Sequence, residues 1–204
     1  IEPAAQIPAL VTNADDRARR TTLSAGDATI ETVEHLMSAL YGVGIDNAVV
    51  RIDGPEVPCG DGSSMPFVEP LLQAGTVEQD QPRTIFRVTE PVCLQDGDAM
   101  IAAFPSHQEG LHVVYDLDYA HATSRIARQT QAWNSASGTY ITDVAPARTF
   151  SLIEEAQALQ SQGMCTHLSP TEMLVIGEDG PIDNAYRFDN EPVRHKILDI
   201  VGDL

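Results

Sequence analysis

Two short runs, Thr32-Val33-Glu34-His35 and His195-Lys196-Ile197-Leu198-Asp199, hold the residue types that a catalytic divalent metal needs. Two imidazoles and one carboxylate can grip zinc while leaving a position open for water. A further carboxylate beside such a centre, here Glu34, suits general-base work, which is typically worth about 10²–10⁴ in rate. The chemistry this implies is hydrolysis of an unreactive bond. Zinc lowers the pKa of a bound water to about 7 and polarises a carbonyl.

Helices must position these groups. At about 100° per residue, Val33, Leu36, Met37 and Leu40 line one helical side, with His35 roughly opposite and Glu34 between. Gly42 and Gly44 follow as stop signals. In the second run Val193, Ile197, Ile200, Val201 and Leu204 form the apolar stripe, while His195, Asp199 and Asp203 make a row on the other side. Asn190 or Glu191 is placed to cap this helix, and Pro192 suits its first turn. Either run alone is weak support for a metal, because a helical His with an Asp four residues on is most often a surface pair. The Glu also precedes the His here, unlike the HExxH pattern of zinc proteases.

The remaining pattern is mixed. Strands are predicted over 48–53, 85–88, 100–104, 111–119 and 173–176, with helices around Phe67 to Leu72 and over 152–162. Pro70 interrupts the first of these helices, and Ser151 with Glu154 reads as a capping box for the second. Gly54-Pro55 and Asp61-Gly62 read as turns. The polar stretch 76–83, with Pro82, suggests a boundary between a first domain (1–80) and a second (81–204). Strands grouped before helices favour an α+β layered arrangement over a doubly wound sheet.

Composition narrows the partners. Among 204 residues, 43% are hydrophobic, enough for a core, and 12 basic residues face 30 acidic ones for a net charge of −18. That balance argues against nucleic acid and against an anionic membrane surface. No apolar run approaches the ~20 residues needed to span a bilayer. The three cysteines (Cys59, Cys93, Cys165) show no CxxC pair and fit reduced thiols in a cytoplasmic protein. His107, His112, His121 and His167 are read as surface histidines with no ligand role.

Three blocks in order carry a resemblance: TVEHLMSALYGVGIDNAVVRIDGPEVPCGDGSSMPFVEPLL from Thr32, then ARTF at Ala147 with LQSQG at Leu159, then FDNEPVRHKILDIVGDL from Phe188. Together they resemble the zinc-dependent UDP-3-O-acyl-N-acetylglucosamine deacetylases of lipid A synthesis. The resemblance implies two similar domains, each a mostly antiparallel sheet packed on helices, with the metal between them. It makes His35, His195 and Asp199 the zinc ligands and Glu34 the general base. Thr149 would lie beside the developing oxyanion, and Phe150 would help form the sugar and acyl surface. Lys196 would bring positive charge to the substrate, and Asp203 would support the centre. Residues 106–137 correspond to the family's acyl-passage insert, in which Tyr115, Leu117, Tyr119, Ile126 and Trp133 are either lining or plain core.

The implied reaction removes acetate from UDP-3-O-(3-hydroxyacyl)-N-acetylglucosamine, an acylated UDP-sugar whose diphosphate calls for Arg148, Arg194 or Lys196 against the acidic background. The family has a further His, after a Gly, beyond its third block, and Leu204 precedes that segment; by the same resemblance the opening strands of the first domain are expected to be missing. An inactive relative that binds a nucleotide sugar or a partner protein is therefore the alternative. A His₂Asp set accommodates iron as well as zinc.

Overall fold

A computed structural model describes residues 5–15, 17, 19–161, 163, 169–171 and 173–204. Cys165 and His167 lie outside them. Three strands open the chain: β1 (Ala14–Asp15), β2 (Thr22–Ala25) and β3 (Ala28–Glu31), paired antiparallel in that order. Gly26 turns β2 into β3 at a left-handed φ of 60°, which costs glycine little. Helix α1 (Glu34–Gly42) follows, and then α2 (Met65–Ala74) with Pro66 in its first turn and Pro70 inside it.

The second half begins with two hairpins, β4 (Val92–Asp96) with β5 (Ala99–Ala103), and β6 (His112–Leu117) with β7 (Gln129–Asn134). A short helix α3 (Tyr140–Asp143) leads into β8 (Phe150–Leu152) and α4 (Ile153–Ser161). Strand β9 (Leu174–Gly177) pairs parallel with β8 and antiparallel with β10 (Gly180–Pro181), before the long α5 (Glu191–Asp203). The architecture is α+β, with every strand pairing antiparallel except β8–β9.

Helices α1 and α5 pack on each other, and α5 in turn covers β6 and β7. Their close approach has a specific cause. Gly202 leaves room for the backbone of Glu34, since a Cβ there would sit inside the van der Waals envelope of the Glu34 carbonyl. The main core joins Ala39 and Val68 to Trp133, Tyr140, Ile197 and Val201; a second joins Leu117, Ile126, Leu174 and Val193. Leu117, Ile126 and Trp133 are buried in these clusters.

Several expectations are corrected. Residues 48–53 and 85–88 are irregular rather than strands, with Val49 and Phe86 about nine-tenths exposed. A strand needs a neighbouring ladder for its N–H and C=O groups, and neither stretch has one among the described residues. Strands β4 and β7 were not anticipated, because their polar residues (Gln95, Gln129, Gln131) blur the alternation. Neither Asn190 nor Glu191 caps α5 with its side chain. Asn190 instead accepts from Arg194 Nε at 2.7 Å. The expected Ser151–Glu154 box is replaced by Glu155, which accepts from Leu152 N at 3.0 Å, while Glu154 pairs with Arg125.

Candidate metal centre

His35 occupies the second position of α1, and His195 and Asp199 sit one turn apart in the middle of α5. The helix crossing brings them together. One ligand-type atom from each lies within 4.8 Å of the others. Asp199 Oδ1 stands 3.2 Å from His195 Nε2 and 3.7 Å from His35 Nε2, and the two rings meet edge-on at 5.0 Å between centroids. The side of α1 away from its apolar stripe is therefore not solvated. Glu34, His35, Ser38 and Ala39 are buried there against α5.

The orientation of His195 is fixed from behind. Its Nδ1 is 3.1 Å from the Ala147 carbonyl, which can only accept, so Nδ1 carries the proton and Nε2 presents a lone pair to the centre. Burial pushes His195 down to about 4, with the Asp199 carboxylate pulling the other way. The ring is thus neutral, as a metal ligand must be. Burial of Asp199 opposes its charge, yet His195, His35 and Lys196 together hold its carboxyl far below the usual range. Lys196 Nζ donates to the outer oxygen, Oδ2, at 2.8 Å. The inner oxygen, Oδ1, is buried and receives no hydrogen bond among the described residues. An anionic oxygen aimed at two imidazole nitrogens without a donor fits a divalent cation.

Glu34 lies beside the ligands. Burial raises its pKa, partly offset by backbone bonds, and Thr21 N donates to its Oε2 at 3.2 Å. The Thr21 hydroxyl donates to Asp203 Oδ1 at 2.6 Å, so one residue just ahead of β2 ties both carboxylates down. Burial also raises Asp203, with the Thr21 bond acting against it. A raised carboxylate pKa moves both groups toward proton exchange at neutral pH. Thr21 gives no signal in the sequence, since its partners are 13 and 182 residues away.

A loop holds the remaining candidates. Ser64 Oγ donates to the His35 carbonyl at 2.9 Å, and Ser64 N to that of Ala145 at 3.0 Å. Thr149 N donates to the Gly62 carbonyl at 2.7 Å, and a Cβ on Gly62 would press Thr149 Cγ2 at 2.9 Å. Asp61-Gly62, which reads as a plain turn, thus clips the 145–149 segment beside α1. Phe150 stands edge-on to Tyr119 at 5.7 Å, and Lys196 Nζ lies 5.8 Å from its ring centroid. Tyr119 and Lys196 are both half-buried beside this ring.

Two of the cations expected to face a diphosphate, Arg148 and Arg194, are held by protein groups. Arg148 is 3% exposed and bonded to Glu191, Asn184 and the Ala185 carbonyl. Arg194 donates to Asn190 and the Asp143 carbonyl and stacks over Phe188 at 4.5 Å. Arg194 and Lys196 are both half-buried, the Lys196 side chain 31% exposed. No helix among the described residues is long and apolar enough to cross a membrane.

Comparison with known proteins gives the family. The profile of the UDP-3-O-acyl N-acetylglycosamine deacetylase family matches residues 2–204. Proteins named UDP-3-O-acyl-N-acetylglucosamine deacetylase are similar along the whole chain. One from Geobacter sp. (strain M21) is 40% identical over 205 residues, covering 100% of this chain and 66% of its own length. One from Cellvibrio japonicus (strain Ueda107) is 37% identical, covering 100% and 67%. A Chlamydia pneumoniae protein is 42% identical over 199 residues, covering 97% and 70%. The chain spans about two thirds of the length of these relatives, and over that span it belongs to the UDP-3-O-acyl N-acetylglycosamine deacetylase family.

Proposed function

We propose that this chain carries the metal centre of a zinc-dependent deacetylase that releases acetate from UDP-3-O-(3-hydroxyacyl)-N-acetylglucosamine, the committed step of lipid A synthesis. His35, His195 and Asp199 are the proposed ligands. The observation that carries the reading is Asp199 Oδ1, a buried anionic oxygen with no donor among the described residues that faces two imidazole Nε2 atoms. The proposal assigns 1–80 and 81–204 to two domains and the protein to the cytoplasm, where its odd set of thiols would stay reduced.

Bound at these ligands, zinc would supply an acidified water and polarise the amide carbonyl. Glu34 takes the proton from the attacking water, which its burial-raised pKa suits. The Thr149 hydroxyl donates toward the oxyanion that develops on the former carbonyl. Glu34 then returns the proton to the departing sugar amine. Lys196 holds Asp199 Oδ2 and brings a positive charge next to the Phe150 ring. Asp203, held by Thr21, keeps a second carboxylate behind Glu34.

Glu34→Ala tests the assignment. It should abolish acetate release while zinc content stays at the wild-type level; undiminished deacetylation by this variant rejects Glu34 as the base.

A further inference from the structure

We infer that Arg148 and Glu191 are positioning residues for the metal centre, a buried clamp that holds the Ala147 carbonyl on His195 and so sets which imidazole nitrogen faces the ion. The inference rests on the metal-centre reading above. Glu191 is wholly buried and Arg148 nearly so. The guanidinium forks onto the carboxylate, Nε to Oε1 at 2.8 Å and Nη2 to Oε2 at 3.1 Å. Glu191 also accepts from the backbone of Arg148 at 3.0 Å and of Arg187 at 2.7 Å. Two further guanidinium hydrogens go to Asn184 Oδ1 at 2.9 Å and the Ala185 carbonyl at 2.7 Å.

Stability alone is a poor reason for such a pair, because a buried ion pair often gains nothing over apolar packing of the same volume. Its placement gives a better one. Arg148 sits between Ala147, whose carbonyl accepts from His195 Nδ1, and Thr149; Glu191 begins α5 one turn before His195. The contacts close a ring: Ala147 carbonyl to His195, helix backbone to Glu191, fork to Arg148, peptide bond back to Ala147. A two-pronged fork fixes rotation as well as distance, which a lysine ammonium cannot do. The carbonyl is thereby held on Nδ1–H, and the Nε2 lone pair is left 3.2 Å from Asp199 Oδ1. Partners behind a ligating histidine set its tautomer in this way. The burial of Arg148 also removes it from any role in contacting substrate.

The test compares the 204-residue chain with R148K and E191Q. Zinc affinity is read by competition with a chromophoric chelator, the ligand field by Co²⁺ absorption, and fold and stability by circular dichroism of the metal-free forms. Both variants should bind Zn²⁺ about 10–100-fold more weakly and show altered Co²⁺ bands while keeping native dichroism. R148K should do so despite its retained charge. Variants that melt earlier yet keep the wild-type zinc affinity and Co²⁺ spectrum overturn the clamp, leaving the pair merely structural. Nitrogen-15 spectra of metal-free wild-type protein decide the matter without any variant: a His195 protonated at Nδ1 supports the clamp, and one protonated at Nε2 overturns it. A wild-type chain that takes up no zinc overturns the metal-centre reading itself, whereas zinc uptake left unchanged by R148K and E191Q overturns only the clamp.

Discussion

The α1–α5 crossing and the β4–β5 hairpin stand at opposite extremes of the molecule. At the crossing even the polar side chains are buried, Glu34 at 7% exposure and His195 at 1%. The hairpin has five register pairs, from Val92↔Ala103 to Asp96↔Ala99, yet Leu94 is 65% and Met100 70% exposed. The hairpin satisfies its backbone locally and buries almost no side chain. The crossing does the reverse work: two helices that are complete in themselves meet through Gly202 and enclose ionisable groups. A site that must tune pKa values and hold ligand geometry needs the second kind of region, where water is excluded and rotamers are packed.

The contrast can be broken at its centre first. His195→Ala removes one ligand of the crossing, and metal analysis after gel filtration should show zinc affinity reduced more than about 100-fold, beyond what an outer partner costs. Stoichiometric zinc in this variant would move the centre elsewhere. Gly202→Ala attacks the crossing without touching a ligand. The Glu34 carbonyl is backbone and cannot swing aside, so the cost should approach or exceed about 3 kcal/mol in urea unfolding, at the upper end of overpacking effects. A change under about 0.5 kcal/mol would mean that the helices separate freely.

Proton linkage sharpens the comparison at smaller scale. Without metal, burial keeps folded His195 neutral down to about 4, while an unfolded histidine protonates near 6.5. Between those values the unfolded chain binds the extra proton, so stability contributed by His195 is present above pH 6.5 and is lost as pH falls toward 4, by at most about 1.4 kcal/mol per unit. Glu34 and Asp203, both raised by burial, take up protons first in the folded state and act the opposite way. Urea midpoints of metal-free wild type and His195→Gln between pH 4 and 7 isolate the histidine; parallel curves would contradict its burial as a neutral group. The smallest effect belongs to the hairpin. Leu94→Ser should shift stability by no more than about 0.5 kcal/mol, as exposed substitutions do. A loss above 2 kcal/mol would erase the distinction between the two regions.

Much of the centre could be read from the chain because helical spacing is a local property. His195, Asp199 and Asp203 recur at four-residue steps, so any helix there must present them together, and α5 does. Of the stripe Val193, Ile197, Ile200, Val201 and Leu204, Val193, Ile197 and Val201 are buried, whereas Ile200 is half-buried and Leu204, at the end of the helix, is 81% exposed. The resemblance added His35 and Glu34 to the same centre, which periodicity by itself could not, since nothing local relates α1 to α5. The errors have one source as well. Residues 48–53 and 85–88 have strand-like composition, but a strand is completed only by its neighbour. Arg148 looked like a substrate cation until its partner appeared 43 residues away.

The amino-acid order by itself therefore determined which residues share a helix face, where the turns fall and which side chains could ligate a metal, because dihedral preference and periodicity act over a few residues. Tertiary structure alone decided that α1 meets α5, that Thr21 joins Glu34 to Asp203, and that Arg148 closes on Glu191 behind His195. Those contacts span 13 to 182 residues, and only the packing of a common core brings such distant groups within hydrogen-bond reach.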